Sequence, residues 1–173
     1  LFPYTTLFRS DVGSIDCPAV DCDDTYPSDS TVTLTADPDP NQAFTGWSGD
    51  CAGTDPECEV TIDQARTVTA TFTAITHTLT VDVTPGQGSG SVSSDVGSID
   101  CPADCDDVYA QPTVVTLSAV ADPGSNFAGW SGAGCSGIGT CQVTMDQARS
   151  VTATFTLPYD LTVQVIGSGS VTS

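Results

Sequence analysis

The sequence predicts an all-β chain of tandem, small antiparallel-sheet repeat domains, and three observations carry that prediction. Apolar residues alternate with threonine over short runs, as in Thr67–Thr73 (TVTATFT), where Val68, Ala70 and Phe72 face one way and the threonines the other. Alternation with period two marks a strand with one buried face, and the branched Cβ of threonine favours extended backbone on the solvated side. The same runs return 83 residues later, with Trp47 as Trp130 and Phe72 as Phe155. No stretch long enough for a helix shows helical spacing.

In chain order, the first ten residues stand apart. LFPYTTLFRS (1–10) appears once, whereas DVGSIDCPA at Asp11–Ala19 recurs letter for letter at Asp95–Ala103. The ten residues resemble an in-frame translation of the end of a short-read sequencing adapter and are set aside as a scar. They carry no basic region leading into an apolar core, which argues against a signal peptide. Residues 11–73 then form a repeat unit that lacks its first hairpin. Its strands are marked by Val32 and Leu34, by Val60 and Ile62, and by Val68, Ala70 and Phe72. The DQAR stretches, Asp63–Arg66 and Asp146–Arg149, are long enough only for a turn, so Val60–Thr73 is expected to be a hairpin.

TAITHT (Thr73–Thr78) is expected to be a linker, and residues 79–156 a complete unit of about six strands. Leu79, Val81 and Val83 open it; Val115 and Leu117, Val143 and Met145, and Val151, Ala153 and Phe155 repeat the earlier strands. Turn chemistry separates them at Ala36–Asn41 (ADPDPN), Pro85–Ser91 (PGQGSGS) and Ala121–Asn126 (ADPGSN). After a second linker, Leu157–Asp160, the segment 161–173 (LTVQVIGSGSVTS) restarts Leu79–Ser93 (LTVDVTPGQGSGSVS) as a third, truncated unit. The chain is therefore expected to be a piece of a longer array.

Composition narrows the function. The chain has 22 acidic residues against three cations (Arg9, Arg66 and Arg149), with a formal net charge of −19. Displacing counterions from nucleic acid needs clustered cations, so nucleic-acid binding is excluded, and binding to anionic lipid is disfavoured for the same reason. No run approaches the ~20 apolar residues of a membrane span. A unit of this size buries roughly 60% of its unfolded surface, a marginal core that gains from cross-links. The eight cysteines fall as four near pairs: Cys17 with Cys22, Cys51 with Cys58, Cys101 with Cys105, and Cys135 with Cys141. An even count arranged alike in each unit predicts local disulfides and an oxidising, extracellular compartment. A structural zinc site is the rival reading, disfavoured because the C-x2-C knuckle is absent and the spacing drifts between units. The chain has no lysine, so lysine isopeptide cross-links are excluded.

Candidate chemistry is sparse. FTGWSG (Phe44–Gly49) and FAGWSG (Phe127–Gly132) place Phe and Trp three apart, on opposite faces of a regular strand. A bulge at Gly46 and Gly129 would bring both rings to one face, where they fill a small core. The alternative is an exposed, sugar-stacking tryptophan, extended by Tyr26 and Tyr109. His77, the single histidine, is expected to be an exposed linker residue and not a catalytic base. Gly86, Gly88 and Gly90 resemble a phosphate loop but no helix follows them. The acids around the first cysteine pairs (Asp16, Asp21, Asp23 and Asp24; Asp100, Asp104, Asp106 and Asp107) are weighed as calcium ligands. Without the D-x-D-x-D-G spacing, a solvated acidic loop is the preferred reading. No catalytic, cofactor-binding or metal residue is assigned.

The order of features is an LTV strand, a GSGSV strand, a cysteine pair, a tyrosine, a TVTL strand, FxGWSG, a second cysteine pair and VTMDQARSVTATF. It resembles the divergent InlB B-repeat family over Asp11–Thr73 and Leu79–Thr156. The resemblance implies a tandem bacterial cell-surface or secreted module, β-grasp-related in its better-known branch, with no shared catalytic residues. The lack of a helix here favours an all-β version. The expected function is a non-enzymatic extracellular spacer or adhesion repeat, whose partners are neighbouring repeats of the chain and a protein or glycan surface. The alternative is an accessory carbohydrate-binding module of a secreted hydrolase.

Overall fold

The computed structural model describes residues 7–11, 13, 15–17, 22–84, 88–159 and 161–172. Leu1–Thr6, Asp21, part of the Pro85–Ser91 turn, and Asp160 lie outside them. Fourteen strands follow in order: β1 Leu7–Ser10, β2 Asp16–Cys17, β3 Ser30–Asp37, β4 Gln42–Gly49, β5 Glu57–Ile62 and β6 Val68–Ala74; then β7 Thr76–Thr84, β8 Gly90–Ser94, β9 Asp100–Cys101, β10 Asp106–Ala110, β11 Val114–Ala121, β12 Asn126–Ser131, β13 Cys141–Thr144 and β14 Arg149–Thr156. No helix occurs among the described residues. The chain divides into two compact units, one running to His77 and including Ala110–Pro112, the other made of Thr78–Tyr109 and Thr113 onward.

The complete repeat is a two-sheet sandwich. One sheet has the order β10-β7-β14-β12 and the other β13-β11-β8-β9. Their inward residues meet in one core, with Leu79 and Val81 from β7, Val151, Ala153 and Phe155 from β14, and Val115 and Leu117 from β11. These are the alternating apolar positions of the sequence, and stacking two such faces removes both from water. A grasp sheet is covered by a helix; here a second sheet takes that place. β12 with β14, β11 with β13, β8 with β11 and β8 with β9 pair antiparallel, whereas β7 and β14 run parallel with Arg149 opposite Leu79 and Val151 opposite Val81.

Three expectations change. Val60–Thr73 is not a hairpin: β5 pairs with β3 while β6 pairs with β4, and β13 and β14 separate in the same way. DQAR carries the chain from one sheet to the other, because the inward faces of consecutive strands belong to opposite walls of the core. The complete unit has eight strands, not six; β9 and β10 arise in the acidic cysteine loop, where no apolar alternation announces them. TAITHT, within which the unit boundary falls after His77, is strand and not loop, since β6 runs to Ala74 and β7 begins at Thr76. His77 is accordingly half-buried within β7, its Nε2 2.9 Å from Gln111 Oε1.

The first repeat uses the same plan with parts missing. Its sheets are β2-β1-β3-β5 and the pair β4-β6. Here β1 stands where β8 stands in the second repeat. Ser10 lies opposite Leu34 and Phe8 opposite both Ala36 and Cys17, as Ser94 lies opposite Leu117 and Val92 opposite both Ala119 and Cys101. A stretch with no sequence kinship to GSVSS thus holds the same register, because ladder bonds come from backbone groups. Residues 161–172 contain no strand, and Leu161 and Ile166 are 90% and 97% exposed.

Candidate functional site

The FxGWSG motif is built around a bulge. The register of β4 against β6 shifts between Phe44 and Gly46, and that of β12 against β14 between Phe127 and Gly129. Gly46 and Gly129 sit at φ +146° and +138°, which a side chain would strain. The extra residue turns both rings inward. Phe44 and Trp47 meet edge-to-face at 5.1 Å, Phe127 and Trp130 at 5.0 Å. Each phenylalanine also touches the last aromatic of the neighbouring strand, Phe72 or Phe155. Trp47 and Trp130 are only 6% and 5% exposed. Neither ring is available as a sugar-stacking platform; Tyr109 is buried and Tyr26 half-buried. At the end of the motif, Gly49 and Gly132 keep φ near +90° beside the next strand, where a Cβ on Gly132 would lie 2.6 Å from the Ser150 carbonyl oxygen.

The second cysteine loop closes over each tryptophan. The Trp47 amide donates to the Gly53 carbonyl at 2.8 Å and its indole N–H to the Asp55 carbonyl at 2.8 Å. Trp130 repeats this with Gly137 at 2.9 Å and Gly139 at 2.6 Å. A buried indole N–H needs such an acceptor. Cys51 and Cys58 hold the loop ends at a Cα separation of 6.4 Å, Cys135 and Cys141 at 5.5 Å. Cys17 and Cys22 lie at 5.1 Å, Cys101 and Cys105 at 4.9 Å. All four separations suit a disulfide, and no cysteine is left free.

Several carboxylates in and beside the acidic loops are taken up by backbone amides. Asp107 accepts from Ser98 N–H through Oδ2 and from Val108 N–H through Oδ1, both at 2.7 Å, and these bonds hold its pKa below the ordinary value against the opposing effect of desolvation. Asp95, the first residue of the second DVGSID, accepts from Thr116 N–H at 2.7 Å and is lowered mainly by that bond. Asp11 makes the same contact with Thr33 N–H at 2.8 Å. The Tyr109 hydroxyl donates to the Val96 carbonyl, and burial raises its pKa. Among the described residues no three His, Cys, Asp or Glu side chains stand together as a metal site. The calcium candidate Asp21 lies outside those residues; Asp107 is occupied as described, and Asp24 accepts from Thr25 N–H.

Two features escaped the sequence reading. Asp50 accepts from Thr67 N–H and pairs with Arg66, which lowers its pKa; Arg66 also pairs with Asp63. Ala133 stands at the Asp50 position in the second repeat, so Arg149 pairs with Asp146 there without that second carboxylate. Repeat symmetry hid the arrangement, because it exists in one copy. The other feature is a concavity of about 660 Å³ in the first unit, between Cys22–Ser28 and Asp63–Val68 and floored by Val32, Leu34 and Val60. A family model described as the divergent InlB B-repeat domain matches residues 5–76 and 79–158. No curated protein and no solved structure matches the chain.

Proposed function

The chain belongs to the divergent InlB B-repeat family, and from that premise we propose that it is a non-enzymatic extracellular spacer or adhesion repeat of a bacterial surface or secreted protein. The family is a non-catalytic repeat type of bacterial surface proteins. The observation that carries the reading is that the residues shared by the two repeats are consumed by the fold. The aromatics of FxGWSG fill the core, the cysteines fasten loops, and the first aspartate of DVGSID and the second of DDxY hold backbone amides. Much of what remains outside is threonine, serine and acid, with scattered aliphatics such as Val108, Val120 and Ile138, and a net charge of −19 suits such a surface to staying solvated. The four cysteine pairs support an oxidising, extracellular setting.

The test sets this reading against a carbohydrate-binding module. The folded chain is applied to a glycan array, and Trp130→Ala is compared with it in denaturant. A spacer leaves the array empty, and truncating a buried tryptophan costs ~3–5 kcal/mol. A Trp130→Ala protein of unchanged stability that has lost glycan binding would overturn the reading.

A further inference from the structure

The first and last strands of the second repeat are neighbours. β7 and β14 lie side by side at the centre of the sheet β10-β7-β14-β12. They run parallel, in register from Leu79 opposite Arg149 to Thr84 opposite Thr154. Parallel neighbours put the entry of β7 and the exit of β14 at opposite ends of their shared ladder. Tension along the chain therefore pulls the two strands past each other and loads every ladder bond at once. An antiparallel pair would put entry and exit at one end, where the same tension opens the bonds one after another.

The surroundings of the pair oppose such sliding. The inward side chains Leu79, Val81, Val151, Ala153 and Phe155 are at most 2% exposed, so movement of either strand drags them through a close-packed core. On the outer face Ser150 Oγ donates to Asp82 Oδ2 at 3.1 Å, a bond from one strand to the other. β10 and β12 flank the pair and keep both strands off the sheet edge. The covalent staples stand outside the load path. Cys101–Cys105 and Cys135–Cys141 each close a short ring, and neither includes a residue of β7 or β14. Load therefore crosses from β7 to β14 through the ladder.

We propose that the complete repeat is a load-bearing element, in which the β7–β14 ladder is a shear clamp that holds the repeat folded under tension along the chain. The proposal rests on the spacer reading for the source of that tension; the resistance itself belongs to the ladder. Forced unfolding is governed by the barrier to rupture and not by the free energy of unfolding, so a core of modest size resists a pull in this one direction. Direction is the signature. On its other side β14 pairs antiparallel with β12, and Asn126 lies opposite Thr156 where β14 ends. A pull on those two ends unzips that ladder pair by pair.

Single-molecule force spectroscopy on the full, oxidised chain tests this with two attachments at one loading rate. In the first, handles sit at the two chain ends. In the second, one handle stays at the C-terminal end and the other is attached through a side chain placed at the exposed Pro123, in the turn before β12. An insert of about ten Gly and Ser residues after Gly124, which faces open space, lengthens the second repeat's opening by about 35 Å and so identifies it in the end-to-end traces. Pulled end to end, the second repeat is expected to open in a single event, at a force severalfold above that which opens it from Pro123. The proposal is overturned by equal forces in the two attachments, by a higher force from Pro123, or by end-to-end opening that proceeds strand by strand. Glycan binding, which decides the spacer reading, enters neither force.

Discussion

Asp95 shows how one side chain can matter in a protein crowded with acids. Its carboxylate accepts from Thr116 N–H while its own N–H donates to the Thr116 carbonyl at 3.0 Å, so it fastens the loop after β8 to strand β11 by both ends. The bond to the charged form holds its folded pKa below the ordinary 3.8. A lowered carboxylate pKa adds stability that is fully present above the unfolded value and is lost as pH falls through the folded value. Asp95→Asn keeps an oxygen acceptor and removes the charge. The variant is therefore expected to melt below the parent protein at about pH 7, and the gap to close as pH falls below about 4. Thermal melts at a series of pH values check it; a gap constant with pH would mean that the charge contributes nothing. Asp107 and Asp50, lowered by backbone amides in the same way, give the acid limb of the profile further sources.

At the scale of elements, the second cysteine loop is an accessory that fastens an aromatic core. It supplies two carbonyls to each tryptophan, and its closing cysteine, Cys58 or Cys141, is itself buried at the strand. Non-reducing peptide mapping is expected to find the four local pairs, and removing one such short ring by paired Cys→Ala substitution to cost about 2 kcal/mol on the chain-entropy model. A Cys17–Cys51 or Cys17–Cys58 peptide would refute the pairing. Strand existence was legible in the sequence wherever apolar residues alternated, and the bulge at Gly129 was legible because Phe127 and Trp130 could not otherwise share a face. Connectivity was not. DQAR has the length of a hairpin turn, and sequence spacing does not say whether the next strand returns to the same sheet or crosses to the other wall. Nor were β9 and β10 legible, since each buries one side chain, Cys101 or Tyr109, too few for an alternation to show, and they are ordered by pairing with β8 and β7 and by the Asp107 amide bonds. The concavity was hidden for a related reason. It lies between Cys22–Ser28 and Asp63–Val68, segments far apart in the chain that no local pattern brings together.

For the whole molecule, repeat symmetry of sequence coexists with asymmetry of core. The second unit closes around Phe155, Leu79, Leu117 and Met145, all fully buried. The first has no counterpart of Leu79 and Val81 among its described residues, and β6 keeps only half its apolar face from water. Full burial of a large aliphatic side chain contributes ~1.5–3 kcal/mol, so two missing side chains put the first unit about 3–6 kcal/mol behind. That is a large part of the ~5–15 kcal/mol that holds a domain together. Two units separated by such a margin do not unfold as one two-state system. Guanidinium unfolding of the chain is therefore expected to show two transitions. The amides of β3 and β6 should exchange with the first, and those of β11 and β14 with the second. A single transition with equal protection of β6 and β14 would mean that the open edge costs the first unit nothing.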